Sequence, residues 1–224
     1  MVGLIPCRKG SKRVPGKALI DLCGKPLLWY TLNAAEESEL ETYYLTSDYD
    51  RDDLEDAGLN LSEFKKLIVI RRPNDLCEDG SPYTEYIEHF LRVTGSKEFT
   101  MREFETVCLL QPTCPLRTAQ HINEAIDIYR HGGLPGLVSA FEMPKGLLYN
   151  SNFSSIFGTG FIRDDLAYVR NSSIYIFAVN YFINQKSIFV NPSHIYTMNM
   201  WESVDINTQN DLNICEKLLK QERG

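Results

Sequence analysis

Val2-Gly3-Leu4-Ile5-Pro6-Cys7-Arg8-Lys9-Gly10-Ser11-Lys12-Arg13-Val14-Pro15-Gly16-Lys17 is a short apolar run that opens into a basic loop. The apolar residues predict a buried strand. The loop that follows carries five cations, two glycines and a proline, in a chain whose formal net charge is −7. Gly10 and Gly16 allow a tight turn and close backbone approach to a ligand. Successive N–H groups in such a loop can cradle an anion. Arg8, Lys12 and Lys17 would then neutralise phosphate charge, the arginine as a planar fork and the lysines as point charges. This spacing predicts a loop that holds a nucleoside triphosphate. The alternative is a solvated basic loop with no ligand. The Walker pattern is absent, because Gly10 and Gly16 stand one residue too far apart and Ala18 follows Lys17. The G-x-G-x-x-G dinucleotide pattern is absent too.

Working outward, strands and helices alternate. Strands are expected at 42–46, 67–70, 106–110 and 136–141. Helices are expected at 26–37, 51–57, 81–93 and 118–129. Ser81 is expected as the cap and Pro82 as the first residue of the third helix. The alternation predicts a Rossmann-like, doubly wound, mostly parallel α/β sheet with helices on both faces. In such sheets ligands bind beyond the carboxyl ends of the strands. Arg8–Lys17, Ser47-Asp48, Arg71-Arg72 and Gln111–Arg117 all follow strands, so polar groups should converge on one rim. The pattern lapses over about 142–168, which reads as an excursion from a single 1–224 domain: a lid or a dimerising arm. It resumes with a strand at 173–177, a helical turn at 181–184, a strand at 195–200 and a final helix from about 210 to 221.

Composition excludes several classes. The 224 residues suit one large domain, and 43% hydrophobic with 24% charged residues is ordinary for a globular protein. The acidic balance argues against a nucleic-acid partner. No apolar run approaches the roughly 20 residues of a membrane span, and no export signal precedes the first strand. The six cysteines form no C-x-x-C pair, so free buried thiols are expected. The four histidines lack metal-ligand spacing.

Five stretches together resemble the sugar cytidylyltransferases, which make CMP-sialic acid and related CMP-nonulosonates from CTP. They are Ile5–Lys12 with Pro15-Gly16-Lys17; Arg72-Pro73 with Leu76 and Asp79; Leu109–Arg117 with His121-Ile122; Asn171–Tyr175; and Ser203–Thr208. The resemblance spans nearly the whole chain, and Gln111 is similar to the acylneuraminate subfamily. It implies that Arg8, Gly10, Ser11, Lys12 and Lys17 hold the triphosphate of CTP. It implies Arg72 and Ser81 on the nucleotide, and Gln111, Arg163, Arg170 and Asn171 on the acid sugar. It further implies Mg²⁺ on Asp205 and Asn207, a homodimer and a cytoplasmic location. Each residue has a plainer reading. Gln111 could satisfy a strand end, Asn171 could be a turn residue, and Asp205 could be a helix-start carboxylate. Arg117 reads equally as an ion-paired helix-start residue or a sugar ligand.

The chain departs from the family pattern at three places. The family's Lys-Asn is Lys17-Ala18, its second carboxylate of Asp-x-Asp is Asn207, and its Asn-Gly is Asn171-Ser172. The alternatives to catalysis are therefore a nucleotide- or sugar-binding relative without turnover, or the same chemistry on another nucleotide or acid sugar.

Overall fold

A computed structural model describes residues 1–11, 14–78, 80–95, 104–144, 160–163 and 166–222. In chain order the strands are β1 (Val2–Pro6), β2 (Asp21–Leu22), β3 (Lys25–Pro26), β4 (Tyr43–Ser47), β5 (Leu67–Arg71), β6 (Thr106–Leu110), β7 (Gly136–Pro144), β8 (Gly160–Arg163), β9 (Leu166–Ala178) and β10 (His194–Thr197). The helices are α1 (Leu27–Glu37), α2 (Arg51–Asp56), α3 (Tyr83–Thr94), α4 (Ala119–Gly132), α5 (Val179–Gln185) and α6 (Gln209–Glu222). The main sheet runs β10-β7-β9-β6-β1-β4-β5, with β8 paired to β9.

Alternation within the central strands explains why both faces are covered. Ile5, Cys108 and Leu110 pack on one side with Leu28 and Leu32 of α1 and Ile122 and Ile126 of α4. Leu4, Val107 and Leu109 pack on the other with Ile87 and Phe90 of α3 and Phe182 of α5. A third cluster joins Leu22 and Leu27 to Leu212, Cys215 and Leu219 of α6. All six cysteines are free thiols, five of them buried. Among the described residues no helix is long and apolar enough to cross a membrane.

The chain moves outward from β1 through β4 to β5, then returns to add β6 on the other side of β1. That reversal opens a crevice between the loops after β1 and β6, where a doubly wound sheet receives its ligand.

The sheet is mostly parallel, as expected, with β9 antiparallel to β6, β7 and β8. Other expectations need correction. β9 begins at Leu166, seven residues before the expected strand. Ala167, Val169 and Asn171 point inward, and residues between them are more exposed. Part of the expected excursion is therefore sheet: β7 continues to Pro144, which pairs with Leu166. Residues 145–159 and 164–165 of it lie outside the described residues. Ser81 does not cap α3. Pro82 has the extended ψ of 143° and is itself the cap residue, while the Ser81 hydroxyl donates to the carbonyl of Asp75 at 3.2 Å. The final strand ends at Thr197, and the chain from Val204 to Asn207 forms no strand.

β9 carries an irregularity that shapes the site. Val138 faces Tyr175, yet Ala140 faces Arg170, so β9 spends extra residues around 171–174. A bulge strands backbone groups. The Ser139 hydroxyl accepts from Ile174 N at 2.7 Å and lies within donating distance of Asn171 Oδ1. Ser172 bends the chain by taking φ +60°, the left-handed region in which its Cβ is disfavoured. Ser172→Gly should keep wild-type stability, trading the relieved strain against glycine's greater freedom in the unfolded chain. Ser172→Val, with branching at Cβ, should cost about 2 kcal/mol. Denaturant midpoints check this: valine tolerated as well as glycine would contradict it.

Candidate active site

The loop after β1 leaves Cys7 hydrogen-bonded through its N–H to Thr46 O, at 2.9 Å. Lys9 is turned away from the crevice. Its N–H donates to Asp48 Oδ1 at 2.8 Å and its ammonium pairs with Asp53 at 2.5 Å. That exposed pair adds little stability, but it pins the loop to α2 and removes one cation from the cleft. Gly16 has φ +62°, and this turn delivers Lys17 into a single turn of 3₁₀ helix, Lys17–Leu19. Gly10 has no left-handed φ; its place on the cleft wall needs only an absent side chain.

Two adjoining hollows occupy the crevice. The first, about 290 Å³, is lined by Arg8, Gly10, Ser11, Lys17, Ala18 and Gln111, among others. The second, about 250 Å³, is lined by Arg72, Glu78, Ser81, Tyr83 and Tyr86. Pro6, Arg8 and Gln111 border both, so Arg8 and Gln111 stand between the two chambers. Arg8 donates to the carbonyl of Cys77 at 3.0 Å. Gln111 and Tyr86 line the second chamber together. Arg72 is buried and lies 4.5 Å from the centre of the Tyr86 ring, donating to Thr46 O at 2.9 Å. The guanidinium is thus held stiffly before any ligand arrives. Cys7 lines the first chamber, but burial, opposed by the Arg72 charge, pushes its thiol up to about 12. It is a neutral wall residue at neutral pH, not a nucleophile. A larger hollow, about 610 Å³, lies between α3 and α5, where Glu85 and Glu88 offset Arg92 and Lys186.

The chain before α6 is tied to two wall residues of the first chamber, Lys17 and Thr113. Lys17 Nζ donates to Ile206 O at 2.7 Å, and Ile206 N donates to Thr113 O at 2.8 Å. Asp205 and Asn207 face each other: Asn207 Nδ2 donates to Asp205 Oδ2 at 2.9 Å. They share a side, although no strand holds them there. The amide turns its nitrogen to the carboxylate, so the two oxygens do not converge. Asp205 Oδ1 is buried and has no hydrogen-bond partner. Asp205 is not the helix-start carboxylate. Asp211 and Thr208 do that work, with Thr208 N donating to Asp211 Oδ2 at 2.7 Å and Asp211 N to Thr208 Oγ1 at 3.3 Å. Burial disfavours the Asp211 anion, but bonds from Asn207 and Thr208 outweigh it and hold its pKa below the usual carboxylate value.

Other expected site residues fall differently. Arg117 is neither ion-paired among the described residues nor a wall of either chamber. Its buried guanidinium donates to Gln111 O at 3.1 Å, Ser173 O at 2.8 Å and Thr31 Oγ1 at 2.8 Å. It straps the loop after β6 to the β9 bulge and to α1. Asn171 is buried and lines neither chamber. Arg170 lies 4.3 Å from the Phe189 ring centre. Lys12 and Asp79 lie outside the described residues, and so does the side chain of Arg163. Tyr86 and Thr113 went unnoticed in the sequence. Tyr86 sits inside an amphipathic helix where any aromatic reads as core, and Thr113 acts through its backbone carbonyl.

Residues 2–223 match the model of the cytidylyltransferase family. The chain belongs to that family. An N-acylneuraminate cytidylyltransferase of Streptococcus agalactiae is 28% identical over 227 residues, covering 93% of this chain and 50% of that protein. The chain thus spans about half the length of that relative. A CMP-N,N'-diacetyllegionaminic acid synthase of Legionella pneumophila is 28% identical, covering 98% of this chain and 96% of that protein. The fold matches a CMP:2-keto-3-deoxy-manno-octonic acid synthetase solved in complex with CTP, with a TM-score of 0.67 at 16% identity over 99% of this chain and 98% of that one. The cytidylyltransferase fold therefore brings the loops after β1 and β6 and the chain before α6 into one crevice.

Proposed function

We propose that this chain couples CTP to an acylneuraminate-type nonulosonic acid, giving the CMP-sugar and pyrophosphate. The observation that carries the reading is the meeting of Arg8, Lys17 and Gln111 in one cleft, with the Asp205–Asn207 segment tied to its wall through Lys17 and Thr113. Relatives named for N-acylneuraminate and diacetyllegionaminic acid support the acid-sugar class. In this reading the anomeric hydroxyl of the sugar attacks the α-phosphorus of CTP, and pyrophosphate leaves. Arg8 and Lys17 screen the triphosphate and hold it in line, and Lys12 joins them from the same loop. Arg72, Tyr86 and Ser81 line the nucleoside side, and Gln111 faces the sugar with Arg163 and Arg170. A homodimer and a cytoplasmic location belong to the same reading.

Mg²⁺ fits the residues in a limited way. Asp205 offers a buried oxygen without a partner among the described residues, and Asn207, whose amide nitrogen meets Asp205, would turn its amide to present an oxygen. Among the described residues no three His, Cys, Asp or Glu side chains gather as a metal site. Asp205 and Asn207 would hold the ion together with CTP phosphate oxygens. When bound, it would supply charge neutralisation at the phosphates.

The neutral Asn207 and the absent amide at Ala18 favour a second reading, a nucleotide-binding relative without turnover. Calorimetry with CTP tests what both readings share. Lys17→Ala should weaken CTP binding about tenfold or more while sparing cytidine, because Lys17 is assigned to phosphate charge. Equal losses for the two ligands would contradict that assignment.

A further inference from the structure

We propose that Asn171 is a positioning residue for the Asp205 segment and does not touch the sugar. The inference rests on the nucleotidyl-transfer reading above. The Asn171 side chain is 3% exposed, and its hydrogen-bonding capacity is filled. Oδ1 lies 2.6 Å from Ser139 Oγ and accepts from Ser173 N at 3.2 Å. Nδ2 donates to Ser203 Oγ at 2.8 Å and to Met198 Sδ at 3.2 Å. An amide offers two acceptor sites and two N–H donors, so none remains for a ligand. The orientation is fixed by its partners. Ser173 N can only donate, so it must meet the amide oxygen. Ser203 spends its own proton on Asn199 O at 2.7 Å, so it must accept from the amide nitrogen.

The consequence lies two residues further on. Ser203 is the last anchored residue before Asp205, and Ile206, just after it, is fixed by Thr113 and Lys17. Asp205 is therefore held between two anchors, one running through Asn171 to the β9 bulge and one to the cleft wall. Removing the first leaves the carboxylate attached from one side. Supporting hydrogen bonds behind metal-directed groups commonly set metal affinity, at about 10–100-fold per residue.

The test uses Mn²⁺ as the probe, titrated by electron paramagnetic resonance into the full chain with CTP and no sugar. Asn171→Ala and Ser203→Ala should each weaken Mn²⁺ binding about tenfold. The double variant should be no worse than the weaker single one, because the two residues share one hydrogen bond. Ser203→Thr should restore binding, and the KM for the acid sugar should stay within about twofold in every variant. An Asn171→Ala variant with normal Mn²⁺ binding and a raised sugar KM would overturn the proposal. So would a Ser203→Ala variant with no defect, which also covers the case in which Asn171→Ala fails to fold. A wild type that binds no Mn²⁺ with CTP would overturn the metal part of the function reading itself, and this inference with it.

Discussion

Asn207→Asp is expected to make the protein's stability depend on Mg²⁺. In the wild type the Asn207 amide donates to Asp205 Oδ2 at 2.9 Å. Aspartate there places two acceptor oxygens where a hydrogen bond stood. Two charges about 3 Å apart repel by on the order of 5 kcal/mol at an effective dielectric of 20. Both residues are only partly buried, and the water that reaches them reduces this to a net loss of about 1–3 kcal/mol. The pair would relieve the repulsion by holding a proton, which raises the folded-state pKa of one carboxyl. A raised pKa contributes stability below the unfolded value and loses it as pH rises. The deficit against wild type should therefore be small near pH 4 and full near pH 8. Millimolar Mg²⁺ should recover it at pH 8, and the Mg²⁺ concentration for half-maximal rate should fall. Thermal melts with and without Mg²⁺ at both pH values check this. A variant whose melting point ignores both Mg²⁺ and pH would show that Asn207 and Asp205 do not share one cation site.

Arg117→Met is expected to be the most damaging single change outside the apolar core. The guanidinium is 2% exposed and has three oxygen partners from three segments, with no carboxylate among them. Burial lowers its pKa, because the charged form has been taken out of water. Methionine fills much of the volume but leaves the carbonyls of Gln111 and Ser173 without a donor in the interior. Each unsatisfied buried group costs about 1–3 kcal/mol, so the total should reach about 3–5 kcal/mol. Arg117→Lys should recover only part, since an ammonium cannot reproduce the planar fork. Urea unfolding measures both. A loss below about 1 kcal/mol for methionine would mean the strap is dispensable.

Both predictions come from features that the sequence only half discloses. The order of strands and helices was readable, because apolar runs separated by Gly, Pro and cap residues carry that information locally. So was the meeting of Arg8, Lys17 and Gln111, since loops after parallel strands share a rim. The antiparallel path of β9 was not readable. Asn171-Ser172 has the composition of a turn, and what makes it a bulge is Ser139, 32 positions away on β7. For the same reason Asn171 read as a sugar ligand: filled hydrogen bonds to distant partners leave no local trace. Arg117 read as an ion-paired helix-start residue or a sugar ligand because its partners, Thr31 and Ser173, lie on α1 and β9. The amide orientation of Asn207 depends on Asp205 standing opposite it, and nothing local fixes which atom meets which.

The central claim is nucleotidyl transfer from CTP to an acid sugar. The most direct measurement is pyrophosphate release by the full chain with CTP, Mg²⁺ and a nonulosonic acid, taking N-acetylneuraminate and N,N'-diacetyllegionaminate in turn. The account predicts release with at least one of them, dependent on both CTP and the sugar, and abolished in Asp205→Asn while the fold persists. CTP binding with no release on either acid would contradict it and leave a nucleotide-binding protein in the cytidylyltransferase fold.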